Sequence, residues 1–166
     1  MKDNKTVAVV PGSFDPITYG HIDIVRRAAL EYDKVYLAVM INDQKQYMLT
    51  LEQREAIARA ALSELENVEV ISSGGMLWQL TVELCADAIV KGYRNSTDYE
   101  YEMRMAEFNK EHNPLAKTVL LPADASLTDV SSTEVRRRIS AGLSIDDMLP
   151  PVAAKMLSEI LRGQNK

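Results

Sequence analysis

The stretch TVAVVPGSFDPITYGHIDIVRRAALE, Thr6 to Glu31, decides how the whole chain is read. Thr6 to Val10 reads as a buried strand, Pro11 to Ile17 as a tight loop, and the residues from Thr18 onward as a helix. Gly12 lets a backbone come close to a bulky anion. Free amides at a helix start bind phosphate oxygens. His21 adds a hydrogen-bonding group that titrates near neutral pH. A strand ending in a phosphate-accepting turn, with a histidine beside it, points to nucleotide chemistry.

Working outward, the pattern alternates. KVYLAVMIN is a continuous apolar strand ending near Asn42. Thr50 and Gln53 form a capping box, and the helix behind it puts Ile57, Ala61, Leu62 and Leu65 on one face. Val68 to Ser73 is a third strand, and Met76 to Ala86 a helix with Leu77, Leu80, Leu84 and Cys85 inward. Ala88 to Lys91 is a short fourth strand. Thr97 and Glu100 predict a second capping box, opening a helix that runs to about His112. Thr118 to Pro122 is a fifth strand. Ser131 and Glu134 predict a third box, with its helix stopped at Gly142. Pro150 and Pro151 precede an amphipathic C-terminal helix at about 152–162. Continuously apolar strands alternating with helices mean a parallel sheet covered on both faces. The expected fold is α/β, a doubly wound Rossmann-like parallel five-stranded sheet of order 3-2-1-4-5, with residues 1–166 as a single domain.

Composition sets the class. Hydrophobic residues make up 46% and the formal charge is −5, with a pI near 5.1. That balance suits a soluble globular protein and argues against nonspecific nucleic-acid binding, which needs a basic surface. The one cysteine, Cys85, cannot form an intrachain disulfide and reads as a small buried hydrophobe. With His21 and His112 it makes no zinc pattern. No apolar run reaches membrane-spanning length, and the MKDNK start is not a secretion signal, so the expectation is a cytoplasmic protein with no membrane partner. The Asn95-Ser96-Thr97 sequon is then accidental.

Ligands of such sheets bind beyond the carboxyl ends of the strands. Gly12 and Ser13 follow the first strand, Lys45 the second, Gly74 and Gly75 the third, and Lys91, Gly92 and Arg94 the fourth. The loop Leu127 to Thr133 follows the fifth. One edge thus gathers cations, hydroxyls and two helix starts, a polyphosphate site by charge and geometry. Plainer readings exist for several of these residues. Lys45 lies in a polar loop where most lysines are merely solvated, and Arg94 has Asp98 as a natural partner. Helix capping accounts for part of Ser131, Ser132 and Thr133. Arg136 to Arg138 lie on successive helix faces, so at most one or two reach a shared ligand. Tyr99 to Phe108, with Met103 and Met105, reads as a helix face meeting core or a partner. Trp78 reads as a packing anchor, and His112 as a complement to a helix dipole. There is no G-x-G-x-x-G after the first strand and no P-loop, which weighs against nicotinamide enzymes and P-loop kinases. No Ser/His/Asp or Cys/His constellation is legible.

Gly12 to His21, GSFDPITYGH, resembles the signature of the T/H-x-G-H nucleotidyltransferase superfamily. Val130 to Arg136, VSSTEVR, looks like its second motif. Lys91 to Met103, KGYRNSTDYEYEM, is similar to the middle motif of bacterial phosphopantetheine adenylyltransferases. Thr18 stands where those enzymes usually have threonine and the nicotinate mononucleotide and cytidylyl enzymes usually have histidine. The resemblance implies transfer of the adenylyl group of ATP to 4'-phosphopantetheine, giving dephospho-coenzyme A and pyrophosphate, with Mg2+ and a homohexameric assembly.

It also implies roles. Ser13 would touch both substrates, and Phe14 would offer its backbone to ATP. His21 would bind phosphates and stabilise the transition state, with Lys45 and Arg94 assisting. Lys45, Leu77 and Lys91 would serve the acceptor. Gly92, Tyr93, Arg94, Glu102, Leu127, Thr128, Asp129, Val130, Ser131, Ser132 and Thr133 would surround ATP. No protein side chain is assigned to metal. Lys91 departs from the family's usual arginine, turning a forked phosphate contact into a point charge. Leu127-Thr128-Asp129 replaces a more aromatic stretch. The competing readings are another nucleotidyltransferase, acting on nicotinate mononucleotide or on a sugar or alcohol phosphate, and a noncatalytic nucleotide-binding module. A fragment of an aminoacyl-tRNA synthetase shares the histidine motif, but this chain has no room for a tRNA-reading domain.

Overall fold

The computed structural model describes residues 4–165; Met1 to Asp3 of the MKDNK start, and Lys166, lie outside the described residues. Five strands, β1 (Val7–Gly12), β2 (Lys34–Met40), β3 (Val68–Ser73), β4 (Ala88–Tyr93) and β5 (Lys117–Pro122), form one sheet of order β3-β2-β1-β4-β5. Every pairing is parallel. The expected order is the one found. Among the described residues, six helices connect and cover the strands: α1 (Tyr19–Glu31), α2 (Leu51–Ala61), α3 (Leu77–Glu83), α4 (Ser96–His112), α5 (Ser132–Ser140) and α6 (Pro151–Gln164).

β1 is central, and its Ala8, Val9 and Val10 are buried on both faces, as a continuous apolar run requires. On one face Ala8, Val10, Leu37 and Val39 pack with Ile22, Val25, Ile57 and Leu157 from α1, α2 and α6. On the other, Val9 and Ala38 pack with Leu80 and Ala86. β1 stays in register with β2 up to Gly12 opposite Val39, but pairs with β4 only at Ala8 and Val9. The two strands therefore part at the carboxyl edge, at the point where connections leave in opposite directions. That is where a doubly wound sheet offers a crevice.

Several boundaries move. β1 runs two residues past the predicted Val10, and β2 stops at Met40 rather than near Asn42. β4 continues to Tyr93, so Lys91 and Gly92 lie within the strand. The expected Thr97–Glu100 box is absent. Asn95 caps α4 instead, its Oδ1 accepting the Asp98 N–H at 2.9 Å, because asparagine is the stronger cap and stands two residues earlier. The Thr50–Gln53 box forms as expected. Ser131 caps α5, but Glu134 does not complete its box; the carboxylate turns to Arg137 and Arg138. α3 ends at Glu83, and Cys85 is exposed rather than buried. It takes the left-handed position just past the helix (φ 49°), which turns its side chain away from the apolar face. No helix among the described residues is long and apolar enough to cross a membrane.

Candidate active site

The loop leaving β1 is the hub of the site. A Cβ on Gly12 would lie 2.9 Å from the Phe14 ring, so glycine is what lets that ring fold back beneath the strand end. Phe14 adopts φ 50°, a left-handed backbone, and is buried. Its ring meets the imidazole of His21 edge-on, with centroids 5.0 Å apart at 81°. The carboxylate of Asp15 accepts the N–H groups of Met48 (2.9 Å) and Leu49 (3.0 Å), which draws in the loop that carries Lys45. Lys45 Nζ then donates to Ser13 Oγ at 3.3 Å. From the far end of the chain, Ser132 Oγ donates to the Pro16 carbonyl at 2.7 Å and Arg136 Nη1 to the Asp15 carbonyl at 2.9 Å. Arg136 also donates to Thr133 Oγ1. A Cβ on Gly20 would come within 3.3 Å of the Val130 carbonyl, so the start of α1 and the approach to α5 touch. His21, Lys45 and the start of α5, through Ser132 and Arg136, thus meet one short loop from distant parts of the sequence.

His21 has a defined protonation. The Thr18 N–H donates to its Nδ1 at 3.1 Å, and Thr18 Oγ1 lies 3.2 Å from the same nitrogen. Nδ1 is therefore the acceptor, and in the neutral ring Nε2 carries the proton. Burial, followed by the nearby Arg94 guanidinium, lowers the pKa from the ordinary 6.5 to about 4. At neutral pH the ring is an uncharged donor through Nε2.

The remaining candidates arrive already paired. Lys91 Nζ sits 2.6 Å from Glu102 Oε2, and Arg94 Nε 3.1 Å from Asp98 Oδ2. The plainer reading of Arg94 is thus the geometry found, although its charge is still felt at His21. Gly92 lies against α1, where a Cβ would be 2.9 Å from Ile24 Cγ1. Tyr93 packs edge-on against Tyr99. Leu127 ends a 3-10 turn (Ala125–Leu127) and its carbonyl accepts from Val130; Thr128 and Asp129 are exposed. Leu77, half-buried, starts α3 beyond the end of β3. Ser131 is occupied as the α5 cap. Arg137 and Arg138 both pair with Glu134, so Arg136 is the member of that trio that reaches the loop. Two surface concavities of about 340 and 390 Å³ lie elsewhere, one beside Arg59 and Glu69, the other beside Leu149 and Lys155. Away from the site, His112 Nδ1 donates to the Phe108 carbonyl at 2.8 Å and its ring packs against the half-buried Trp78.

Three contributors were missed by the motif-led reading: Asp15, Arg54 and the link from Arg136 to Asp15. Arg54 is 2% exposed, and its Nη1 donates to the carbonyls of Ser13 (2.8 Å) and Met40 (3.2 Å). The available signal for Asp15 was a charge placed between apolar residues in a tight loop. For Arg54 there was none, since arginine in the first turn of an amphipathic helix reads as solvated.

A family model for cytidylyltransferase-like proteins matches residues 9–138. A phosphopantetheine adenylyltransferase from Heliobacterium modesticaldum is 42% identical, over 93% of this chain and 92% of that protein. One from Lactobacillus acidophilus is 40% identical, over 96% of this chain and 99% of that protein. A solved Vibrio parahaemolyticus structure, provisionally described as a nicotinate-nucleotide adenylyltransferase, superposes with a TM-score of 0.72 over 93% of both chains; at 20% identity it shows the shared fold. The loop of Gly12 to His21, the β4 edge and the α5 start are spanned by these matches. The chain belongs to the cytidylyltransferase-like family and, within it, to the phosphopantetheine adenylyltransferases.

Proposed function

We propose that this enzyme transfers the adenylyl group of ATP to 4'-phosphopantetheine, giving dephospho-coenzyme A and pyrophosphate. The observation that carries the reading is His21 in the first turn of α1, its Nδ1 engaged by the Thr18 N–H so that Nε2 is left to donate, beside the loop that receives Lys45 and the start of α5. Two anionic reactants need such a cluster, drawn from several strand ends.

The chemistry requires no protein nucleophile. An oxygen of the acceptor's phosphate attacks the α-phosphorus of ATP, a new P–O bond forms, and the bond to the bridging oxygen of the β-phosphate breaks as pyrophosphate departs. The attacking oxygen is already ionised, so no general base is needed. The rate comes from alignment and from stabilising charge on the transferred phosphoryl group. His21 donates to that group from Nε2, and Lys45 and Ser13 hold the acceptor's phosphate beside it. Arg94 leaves Asp98 for the departing phosphates. Phe14, Gly92, Tyr93, Glu102 and Leu127 to Thr133 enclose ATP, while Leu77 and Lys91 line the acceptor's path.

Among the described residues, no three His, Cys, Asp or Glu side chains group closely enough to hold a metal ion. We take Mg2+ to arrive with the nucleotide, held by its phosphates and by water, as magnesium commonly is. When bound, it supplies charge neutralisation on those phosphates. Exposed Tyr99, Tyr101, Met103 and Phe108 on α4 support self-assembly, which we take to be hexameric, and the location is taken as cytoplasmic.

The test is pyrophosphate release with ATP and 4'-phosphopantetheine, beside nicotinate mononucleotide. Turnover with the first acceptor is expected, falling about 10²–10³-fold in His21→Ala while ATP binding weakens less. Turnover with nicotinate mononucleotide alone would replace the reading, and near-normal turnover of His21→Ala would remove His21 from it.

A further inference from the structure

Three cations around the site are matched by neighbouring carboxylates: Lys91 by Glu102 at 2.6 Å, Arg94 by Asp98 at 3.1 Å and Arg136 by Asp15 at 3.8 Å. Two others, Lys45 and Arg54, make no ion pair among the described residues. Both end on Ser13. Lys45 Nζ donates to its hydroxyl and Arg54 Nη1 to its carbonyl.

The two differ in what their charge requires. Lys45 is exposed and water solvates it. Arg54 is buried, and a buried charge without a counter-charge is strongly destabilising unless other groups compensate. Compensation here is partial. Its Nη1 meets the carbonyls of Ser13 and Met40, and its Cζ lies 3.9 Å from the centre of the Tyr47 ring. Its Nε is buried with no acceptor at all. A leucine or methionine would fill this place in α2 at lower cost if packing were all that mattered.

The guanidinium also links two loops. The Tyr47 hydroxyl accepts the Asn42 N–H at 2.8 Å, and the Asn42 carbonyl accepts the Lys45 N–H at 2.9 Å. Ser13 on one side, and the loop bearing Lys45 on the other, are therefore referenced to the same side chain.

We infer that Arg54 is a positioning residue for the acceptor's phosphate: it sets Ser13 against the Lys45 loop and leaves, on that side alone, a positive charge that a bound phosphomonoester balances. This rests on the reaction proposed above. Arg94 on the ATP side and Lys91 along the acceptor's path each have a carboxylate partner to leave. The Ser13 side, where the acceptor's phosphate is placed, is already electropositive.

The test uses the full chain with Arg54→Met, Arg54→Lys and Tyr47→Leu. Pyrophosphate release is measured with each substrate varied in turn, and inorganic phosphate is titrated calorimetrically as an independent probe of the half-site. Arg54→Met should raise the KM for 4'-phosphopantetheine by about 10- to 100-fold, with the KM for ATP within about twofold of wild type. Arg54→Lys should recover part of that loss, and Tyr47→Leu should show a smaller loss in the same direction. An unchanged acceptor KM in Arg54→Met, or equal rises for both substrates, overturns the inference and leaves Arg54 a purely structural residue. Should Arg54→Met fail to fold, the lysine and tyrosine variants decide, and an unselective effect in both overturns it. A wild-type enzyme that turns over no acceptor sinks the reaction instead. In that event, phosphate binding that is equal in wild type and Arg54→Lys sinks this inference separately.

Discussion

Acidification should weaken the wild-type fold by an amount traceable to one ring. The Thr18 N–H can donate to His21 Nδ1 only while that nitrogen is unprotonated, and burial with the Arg94 charge holds the pKa near 4 against 6.5 in the unfolded chain. The folded pKa is the lower one, so between these values the unfolded chain binds more protons. Stability from this source is fully present above about pH 6.5, falls as the pH drops toward 4, and changes no further below that. The difference between about 4 and 6.5 sets a ceiling of about 3 kcal/mol. The ring is only half-buried by surface exposure, so solvent screening brings the expectation down to about 2 kcal/mol. For a chain of this length that is about 4–8 °C in Tm. Urea unfolding of wild type and His21→Gln at about pH 7.5 and pH 4.5 isolates the effect, since every other titrating group is common to both chains. Histidine NMR gives a second measure, the resonance lost in His21→Gln marking the ring. A titration of that resonance at pH 6 or above, or equal acid losses in both chains, would refute the argument. Added ATP should move the midpoint upward, because phosphate charge favours the imidazolium.

Asp15→Asn replaces an acceptor of two buried N–H bonds with a group that can satisfy one of them; a loss of about 2–4 kcal/mol and a raised acceptor KM are expected, read by melting and by kinetics. A Tm within 2 °C of wild type would count against the tie between the two loops. Gly92→Ala drives a methyl into Ile24 on α1 and should be destabilising by about 1–3 kcal/mol, an effect that disappears in an Ile24→Ala background. Lys91→Met strands Glu102 and should lower stability by about 1–3 kcal/mol, with the double change Lys91→Met, Glu102→Leu recovering most of it. Additive losses in that pair would show that the two side chains are not coupled.

The fold was legible because its signals are short-range. Each β-strand carries an apolar stretch, continuous in β1 and β2, several helices begin with a hydroxyl or amide cap, and parallel topology follows from alternation. The strand order is an expectation attached to the doubly wound class, not something the residues spell out. The failures are local contests between good candidates. Asn95 outcompeted Thr97 for the α4 cap, and Cys85 fell at the left-handed exit of α3 instead of on its inner face. The site was legible where residue type alone implies chemistry, as with His21 and the glycines. It was illegible where function depends on a partner far away in sequence. Nothing near Arg54 reveals that Ser13 lies 2.8 Å away, and nothing near Arg136 reveals the Asp15 carbonyl. Arg94 was readable together with its partner Asp98, but that Lys91 rests against Glu102 is a property of α4's register on the sheet.

The loop after β1 also explains why stability and activity are joined at some positions and separate at others. Phe14 holds a left-handed backbone that a non-glycine residue adopts only when its surroundings insist. The insistence comes from outside the loop. The carbonyls of Ser13, Asp15 and Pro16 are each capped by a side chain from α2 or α5, and the Asp15 carboxylate is capped by the chain just before α2. The loop therefore reaches its working shape only after both helices have docked on the sheet, and the unfolded chain holds no preformed site. Loss of Asp15, Ser132 or Arg136 removes a strut as well as a ligand contour, so melting point and turnover fall together. Lys45 and Arg94 are exposed, and their side-chain contacts, to Ser13 Oγ and to Asp98, are surface contacts of small worth, so their removal should leave the melting point near wild type while turnover falls.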